Sequence, residues 1–187
     1  QDAFIFYIAY IKEGVSDPES RPLMFSFNGG PGSSSVWMHM AFLGPRMIRY
    51  DDQGFMLQPP YEVVDNEFSI LDATDLVFID PVATGYSRML PQKPLHKYHG
   101  VLEDIQSVSE FIRLYVTRNE RWGSPKFVIG ESYGTTRASG LTGYLLSAHR
   151  MYINGTILVS MTGLGMEKGT DMSYMVILPH YAATAWY

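Results

Sequence analysis

The chain has 187 residues, 19 acidic and 14 basic, for a formal net charge of −5, and 46% of it is hydrophobic. That length suits one globular domain or a piece of a larger one; there is no polybasic arm for nucleic acid or an anionic membrane, and no apolar run reaches the length of a membrane span. Cysteine is absent, which excludes disulfides and thiolate metal sites but does not fix the compartment.

Residues 3–11 and 23–27 read as two strands. The turn-forming linker EGVSDPESRP separates them, and an antiparallel hairpin is expected at the front of the domain. NGGPGSSS, from Asn28 to Ser35, is a glycine-rich loop, followed by a short helix up to the Gly44-Pro45 break. Residues 54–70 read as turns and short extended pieces. DLVFID, residues 75–80, is a short apolar run of the kind found in buried parallel strands, and Asp80-Pro81 ends it. From Asp104 to Trp122, Ile105, Val108, Ile112, Tyr115 and Val116 recur at helical spacing. A strand over 126–130, a helix from Ser132 to near His149 and a strand over 156–161 follow. Strands alternate with helices, the order of an α/β domain with a mostly parallel sheet. The chain enters a strand-like run almost at once after Gln1, with no methionine start or signal sequence, and reaches Tyr187 without a closing element. A fragment is the expectation.

FVIGESYGTTRAS, residues 127–139, holds the chemistry. Gly130 and Gly134 bracket Ser132 where a strand pattern meets a helical one. A nucleophile on such a sharp turn projects its hydroxyl away from the backbone, and larger side chains two residues away would collide across the turn. The following helix directs N–H groups and its positive dipole end at the same spot. The plain alternative is an ordinary βα turn with a surface serine. In nucleophile-elbow hydrolases one oxyanion N–H follows the nucleophile and the other comes from the loop after an earlier strand. Tyr133 N–H and the Asn28–Gly32 loop are the candidates, glycine permitting close approach to a ligand. NGGPG also reads as a plain turn. A phosphate-cradling loop is the weaker rival, since there is no Gly-Lys-Ser/Thr ending and no G-x-G-x-x-G.

FSFNGGPGSSS, LGPR, DLVFIDPVATGYSR and FVIGESYGTTRAS together resemble the serine carboxypeptidase family of α/β-hydrolases, in the family's order and across residues 25–139. Ser33, where many eukaryotic relatives carry cysteine, resembles the bacterial members. The resemblance implies an α/β-hydrolase-type, mostly parallel sheet flanked by helices and incomplete at its C-terminal side, with residues 1–187 forming the N-terminal part of one catalytic domain. It implies Ser132 as the acyl-forming nucleophile, with Gly30 and Tyr133 supplying oxyanion N–H groups. Asn28, Gly29 and Glu131 would bind the free α-carboxylate of a peptide substrate. Two bare carboxylates in contact repel, so Glu131 must be protonated or share a proton with that group, which favours acidic pH for peptide hydrolysis. It further implies a secreted or periplasmic location and no cofactor.

Two positions depart from the family pattern. Phe42 stands where members often carry a glutamate before Leu-Gly-Pro, which affects the acid network. Ala83 replaces the first glycine of the Pro-x-Gly-x-Gly-type stretch, a change expected to matter little. A hydrolase of this fold also needs an acid and a histidine after its serine. The chain offers Glu167, Asp171, His149 and His180. A compact triad through Asp171 and His180 is one reading; the favoured one places acid and base beyond Tyr187. His39, His96 and His99 read as loop or surface residues, and the scattered histidines give no metal-ligand spacing. The leading function is therefore release of C-terminal amino acids from peptides. An esterase or acyltransferase of the same fold is the alternative, and a non-catalytic binding module is the reading from another class.

Overall fold

The computed structural model describes residues 2–91, 96–161 and 171–186. The strands are β1 (Ala3–Phe4), β2 (Tyr7–Tyr10), β3 (Leu23–Phe27), β4 (Arg46–Ile48), β5 (Val63–Asp65), β6 (Asp75–Ile79), β7 (Arg88–Met89), β8 (Lys126–Glu131) and β9 (Gly155–Val159). The helices are α1 (Val36–Met38), which runs into a π-turn over His39–Leu43, then α2 (His96–His99), α3 (Val101–Arg118), α4 (Tyr133–His149) and α5 (Asp171–Trp186).

Five strands form the central sheet in the order β2-β6-β3-β8-β9. β6, β3, β8 and β9 are parallel, and β2 runs antiparallel against β6. The fold is thus the expected α/β architecture. Strand alternation sends Leu23, Phe25, Phe27, Val77, Ile79 and Val128 to one face. There they pack against α3 through Val108 and Ile112 and against α4 through Ala138 and Leu141. Met24, Leu76, Phe78 and Ile129 point the other way, onto Met38 and Leu43. Burial on both faces is why these strands read as continuous apolar runs.

The front hairpin does not form. β6 lies between β2 and β3, and β2 pairs with β6 instead. Every residue of β6 is buried, so this strand needs a partner on each edge, and the linker after β2 is long enough to clear it. α3 begins at Val101 and ends at Arg118, three residues earlier at its start than the periodicity predicted and four at its end. β9 ends at Val159 rather than at residue 161.

At the N-terminal ends of β3 and β6 lies a buried ionic cluster. Asp75 accepts hydrogen bonds from Arg121 Nη1 at 2.7 Å, Arg21 Nε at 2.9 Å and the Lys12 N–H at 3.1 Å. Burial alone would push this carboxyl up. The two arginines and the Lys12 N–H more than offset that and hold it below the ordinary carboxylate range. Among the described residues no helix is long and apolar enough to cross a membrane.

Candidate active site

Parallel register builds the site. Phe27 of β3 stands opposite Gly130 of β8, so the next residues, Asn28 and Glu131, emerge side by side at the C-terminal ends of adjacent strands. That is where ligands bind in open α/β sheets. Asn28 Nδ2 donates to Glu131 Oε2 at 3.2 Å. Asn28 Oδ1 accepts the Met38 N–H at 3.0 Å, so both ends of the amide are fixed.

Ser132 follows at φ 56°, ψ −124°, a conformation L-residues rarely adopt. Its own N–H donates to the Val159 carbonyl at 3.0 Å, and its carbonyl accepts from Thr135 N–H at 2.9 Å and Thr135 Oγ1 at 2.7 Å. The turn is as tight as the glycine spacing required: a Cβ on Gly130 would lie 2.0 Å from the Gly134 carbonyl oxygen. The NGGPG loop lies directly against it. A Cβ on Gly29 would come within 2.5 Å of Tyr133 N. Gly30, at φ 106°, lines the same cleft as Ser132, Asn28 and Glu131. The cleft measures about 570 Å³, and Trp37 and Phe42, both exposed, form an apolar wall. The structure therefore brings Asn28, Gly29, Gly30, Glu131, Ser132 and Tyr133 together.

A buried polar network underlies the two loops. Arg137 Nε donates to Asp104 Oδ2 at 2.8 Å, and its Nη1 donates to the Asn28 carbonyl at 2.9 Å. The Tyr133 hydroxyl donates to the same Asp104 oxygen at 3.1 Å. Burial first, then the charge of Asp104 and this hydrogen bond, push the Tyr133 phenol up to about 12. Neither Arg137 nor Asp104 stood out in the sequence. The available signal was a charged residue on the helical face that carries Ala138, Leu141 and Leu145.

Two further observations alter the sequence reading. Ala83 adopts φ 67°, so the glycine it replaces was not idle, and an L-residue there costs about 1–2 kcal/mol. His39 is not a surface residue. It is buried, Nε2 and the Tyr10 hydroxyl share a 2.7 Å hydrogen bond, and its ring lies against Phe78. Burial lowers its pKa, opposed in part by the charge of Asp80.

Among the described residues, none of the other candidate bases lines the Ser132 cleft. His149 closes α4, the helix that starts at Tyr133, which places it roughly 24 Å along the axis from that start. Asp171 and His180 both lie on α5. They are nine positions apart, about 13 Å along the axis and on opposite faces, so this aspartate does not orient this histidine. Glu167 lies outside the described residues. His99 is exposed on α2. Among the described residues no three His, Cys, Asp or Glu side chains are grouped as a metal site.

Comparison with known proteins gives one family. Residues 1–164 match the family described as serine carboxypeptidase. Serine carboxypeptidase-like 29 from Arabidopsis thaliana is 32% identical over 132 residues, 69% of this chain and 25% of that protein. Serine carboxypeptidase-like 36, also from Arabidopsis thaliana, is 24% identical over 181 residues, 95% of this chain and 35% of that protein. Among solved structures, Kex1(delta)p, a prohormone-processing carboxypeptidase from Saccharomyces cerevisiae, superposes with a TM-score of 0.63 at 21% identity, covering 84% of this chain and 34% of that one. The chain thus spans roughly a quarter to a third of the length of these relatives. The motif order, the elbow geometry and a match over most of its length agree: the chain belongs to the serine carboxypeptidase family.

Proposed function

We propose that these residues form the nucleophile and chain-end-reading half of a serine-type carboxypeptidase. One observation carries the proposal: the strained Ser132 turn and the hydrogen-bonded Asn28–Glu131 pair face a single cleft. In this reading Ser132 Oγ attacks the carbonyl carbon of the last peptide bond. The Gly30 and Tyr133 N–H groups receive the oxyanion, each contributing about 3 kcal/mol of barrier lowering. Asn28, Gly29 and a proton-sharing Glu131 hold the α-carboxylate. The amine leaves as a free amino acid, and water then hydrolyses the acyl-enzyme. We place the histidine and acid outside residues 1–187, within the same catalytic domain. A secreted or periplasmic location and, on Ser33, the bacterial branch belong to the same reading.

The test is release of the C-terminal amino acid from N-blocked dipeptides by the natural protein carrying these residues. Ser132→Ala should reduce it to background. Glu131→Gln should move the peptide pH optimum toward neutral, because glutamine removes the repulsion and keeps a donor. An optimum that stays in place would transfer support to the esterase or acyltransferase reading. That reading draws its support from Phe42, which brings an apolar ring rather than a carboxylate to the cleft.

A further inference from the structure

Arg137 is 2% exposed, and its guanidinium meets groups on both sides of the chain-end pair. Nε is paired with Asp104 of α3 at 2.8 Å, and Nη1 holds the Asn28 carbonyl at 2.9 Å. The guanidinium also stacks over Phe27 at 5.1 Å and Tyr133 at 5.2 Å, the residues that precede Asn28 and follow Ser132. Its neighbours on the buried face of α4 are Ala138 and Leu141, so an apolar side chain would suit that helix face. A buried ion pair commonly stabilises no better than apolar packing. Stability alone therefore gives a weak account of an arginine here.

Its geometry gives a stronger one. Three polar groups of Asn28 are each fixed from a different direction: the carbonyl by Arg137, Oδ1 by Met38 N–H, and Nδ2 by Glu131. The carbonyl bond sets the rotation of the Asn28 backbone, and hence the direction in which its side chain leaves. In a trans peptide the N–H points opposite the C=O. The same bond therefore turns Gly29 N–H away from the arginine. The planar fork is needed because one group must bind a carboxylate and a carbonyl at once, which a single ammonium cannot do in the same geometry.

We infer that Arg137 is the positioning residue for chain-end recognition: by gripping the Asn28 carbonyl it holds the Asn28 amide at Glu131, where the pair reads a peptide α-carboxylate. The inference rests on the carboxypeptidase reading. The experiment compares Arg137→Lys with the native protein on three substrates: an N-blocked dipeptide acid, its C-terminal amide, and a small acyl ester with no carboxylate. Lysine keeps a charge for Asp104 and gives up the fork. The kcat/KM ratio of acid over amide should fall about tenfold, the scale of one charge-assisted hydrogen bond. The loss should reside mainly in KM and exceed the loss on the ester by the same factor. Equal losses on all three substrates would mark Arg137 as structural only and overturn the inference, as would an unchanged ratio. If Arg137→Lys does not fold, Asp104→Asn carries the test. It keeps an acceptor for Nε but releases the charge that anchors the fork, and must show the same unequal loss. A native protein with no preference for acid over amide would sink the carboxypeptidase reading itself; a native preference that survives both substitutions sinks only the role of Arg137.

Discussion

Replacing Gly130 by alanine should damage the protein far more than replacing Gly134, although both glycines belong to one motif. A Cβ on Gly130 would sit 2.0 Å from the Gly134 carbonyl oxygen and 2.9 Å from Phe27 Cε2. Carbon–oxygen contacts relax to about 3.3 Å, so the turn would have to open by about 1 Å. That movement works against the Ser132-to-Val159 and Thr135-to-Ser132 hydrogen bonds. A cost of about 3 kcal/mol follows for overpacking against backbone. With a urea m-value of about 2 kcal/mol/M, the unfolding midpoint should drop by about 1.5 M. A Cβ on Gly134 meets the Asn28 and Phe27 carbonyl oxygens at 3.1 Å and needs only a few tenths of an ångström. Gly134 also lies in the first turn of α4, where alanine regains up to about 1 kcal/mol of helix propensity. Urea denaturation followed by circular dichroism should therefore show Gly134→Ala within about 1 kcal/mol of the native protein. A Gly130→Ala midpoint equal to or above that of Gly134→Ala would refute the steric account of the elbow.

Four other outcomes are expected. Arg121→Met leaves buried Asp75 with one arginine, and thermal denaturation should show a loss of about 3–5 kcal/mol. Because the folded Asp75 carboxyl is held below its ordinary value, its stabilisation is complete above about pH 4 and is lost as pH falls through the lower folded value, so the native protein's acid unfolding should be steeper than that of Asp75→Asn. The Tyr133 phenol, pushed up to about 12, should keep its proton past pH 10, and the stability tied to it should be complete below pH 10 and decline as pH rises toward 12; ultraviolet titration of the phenolate, comparing native protein with Asp104→Asn, should show it ionising at lower pH once the aspartate charge is gone. Ala83→Gly should be neutral or stabilising by up to about 1 kcal/mol in the same urea assay, since it relieves a left-handed alanine at φ 67°; a clear destabilisation would show that the conformation is not strained.

What was legible in the sequence was local. The elbow could be read because the collision it avoids is between residues 130 and 134, and the buried strand could be read because LVFI is continuously apolar. α3 announced itself by period and the end of α4 at His149 agrees with the expectation, whereas α5 over 171–186 was not read as a helix. What was not legible was pairing at a distance. Nothing in residues 3–27 indicates that β6 enters between β2 and β3, because that choice depends on what β6 needs at both edges. Arg137 looked like an ordinary helix charge, since its meaning depends on Asp104, 33 residues earlier, and on a carbonyl 109 residues away. His39 looked exposed for the same reason: its partner hydroxyl, Tyr10, belongs to a strand 29 residues before it. Ala83 was discounted because a substitution reveals its backbone cost only once φ is known.

The two ends of the sheet carry opposite duties, and the cleft end depends on the other. At the C-terminal ends Ser132 occupies a conformation that costs of order 1–3 kcal/mol and persists only if its surroundings over-determine it. The Val159 carbonyl and Thr135 hold the turn locally, but they fix its height above the sheet only if β3, β8 and β9 keep their register. A slip of one residue between β3 and β8 would set Asn28 opposite Gly130 instead of beside Glu131 and reverse which face each side chain meets. Resistance to that slip comes from the other end. Arg121 reaches from the loop before β8 to Asp75 at the start of β6, and its Nη2 also holds the Arg21 carbonyl just before β3. One buried guanidinium thus ties the starts of three neighbouring strands, and five residues along β8 that tie becomes the alignment of Asn28, Glu131 and Ser132. Arg121→Met should therefore perturb the cleft as well as the fold. In NMR spectra its amide shifts should include Asn28 and Glu131 at the far end of the strands, whereas shifts confined to the Asp75 end would show that the register needs no such anchor.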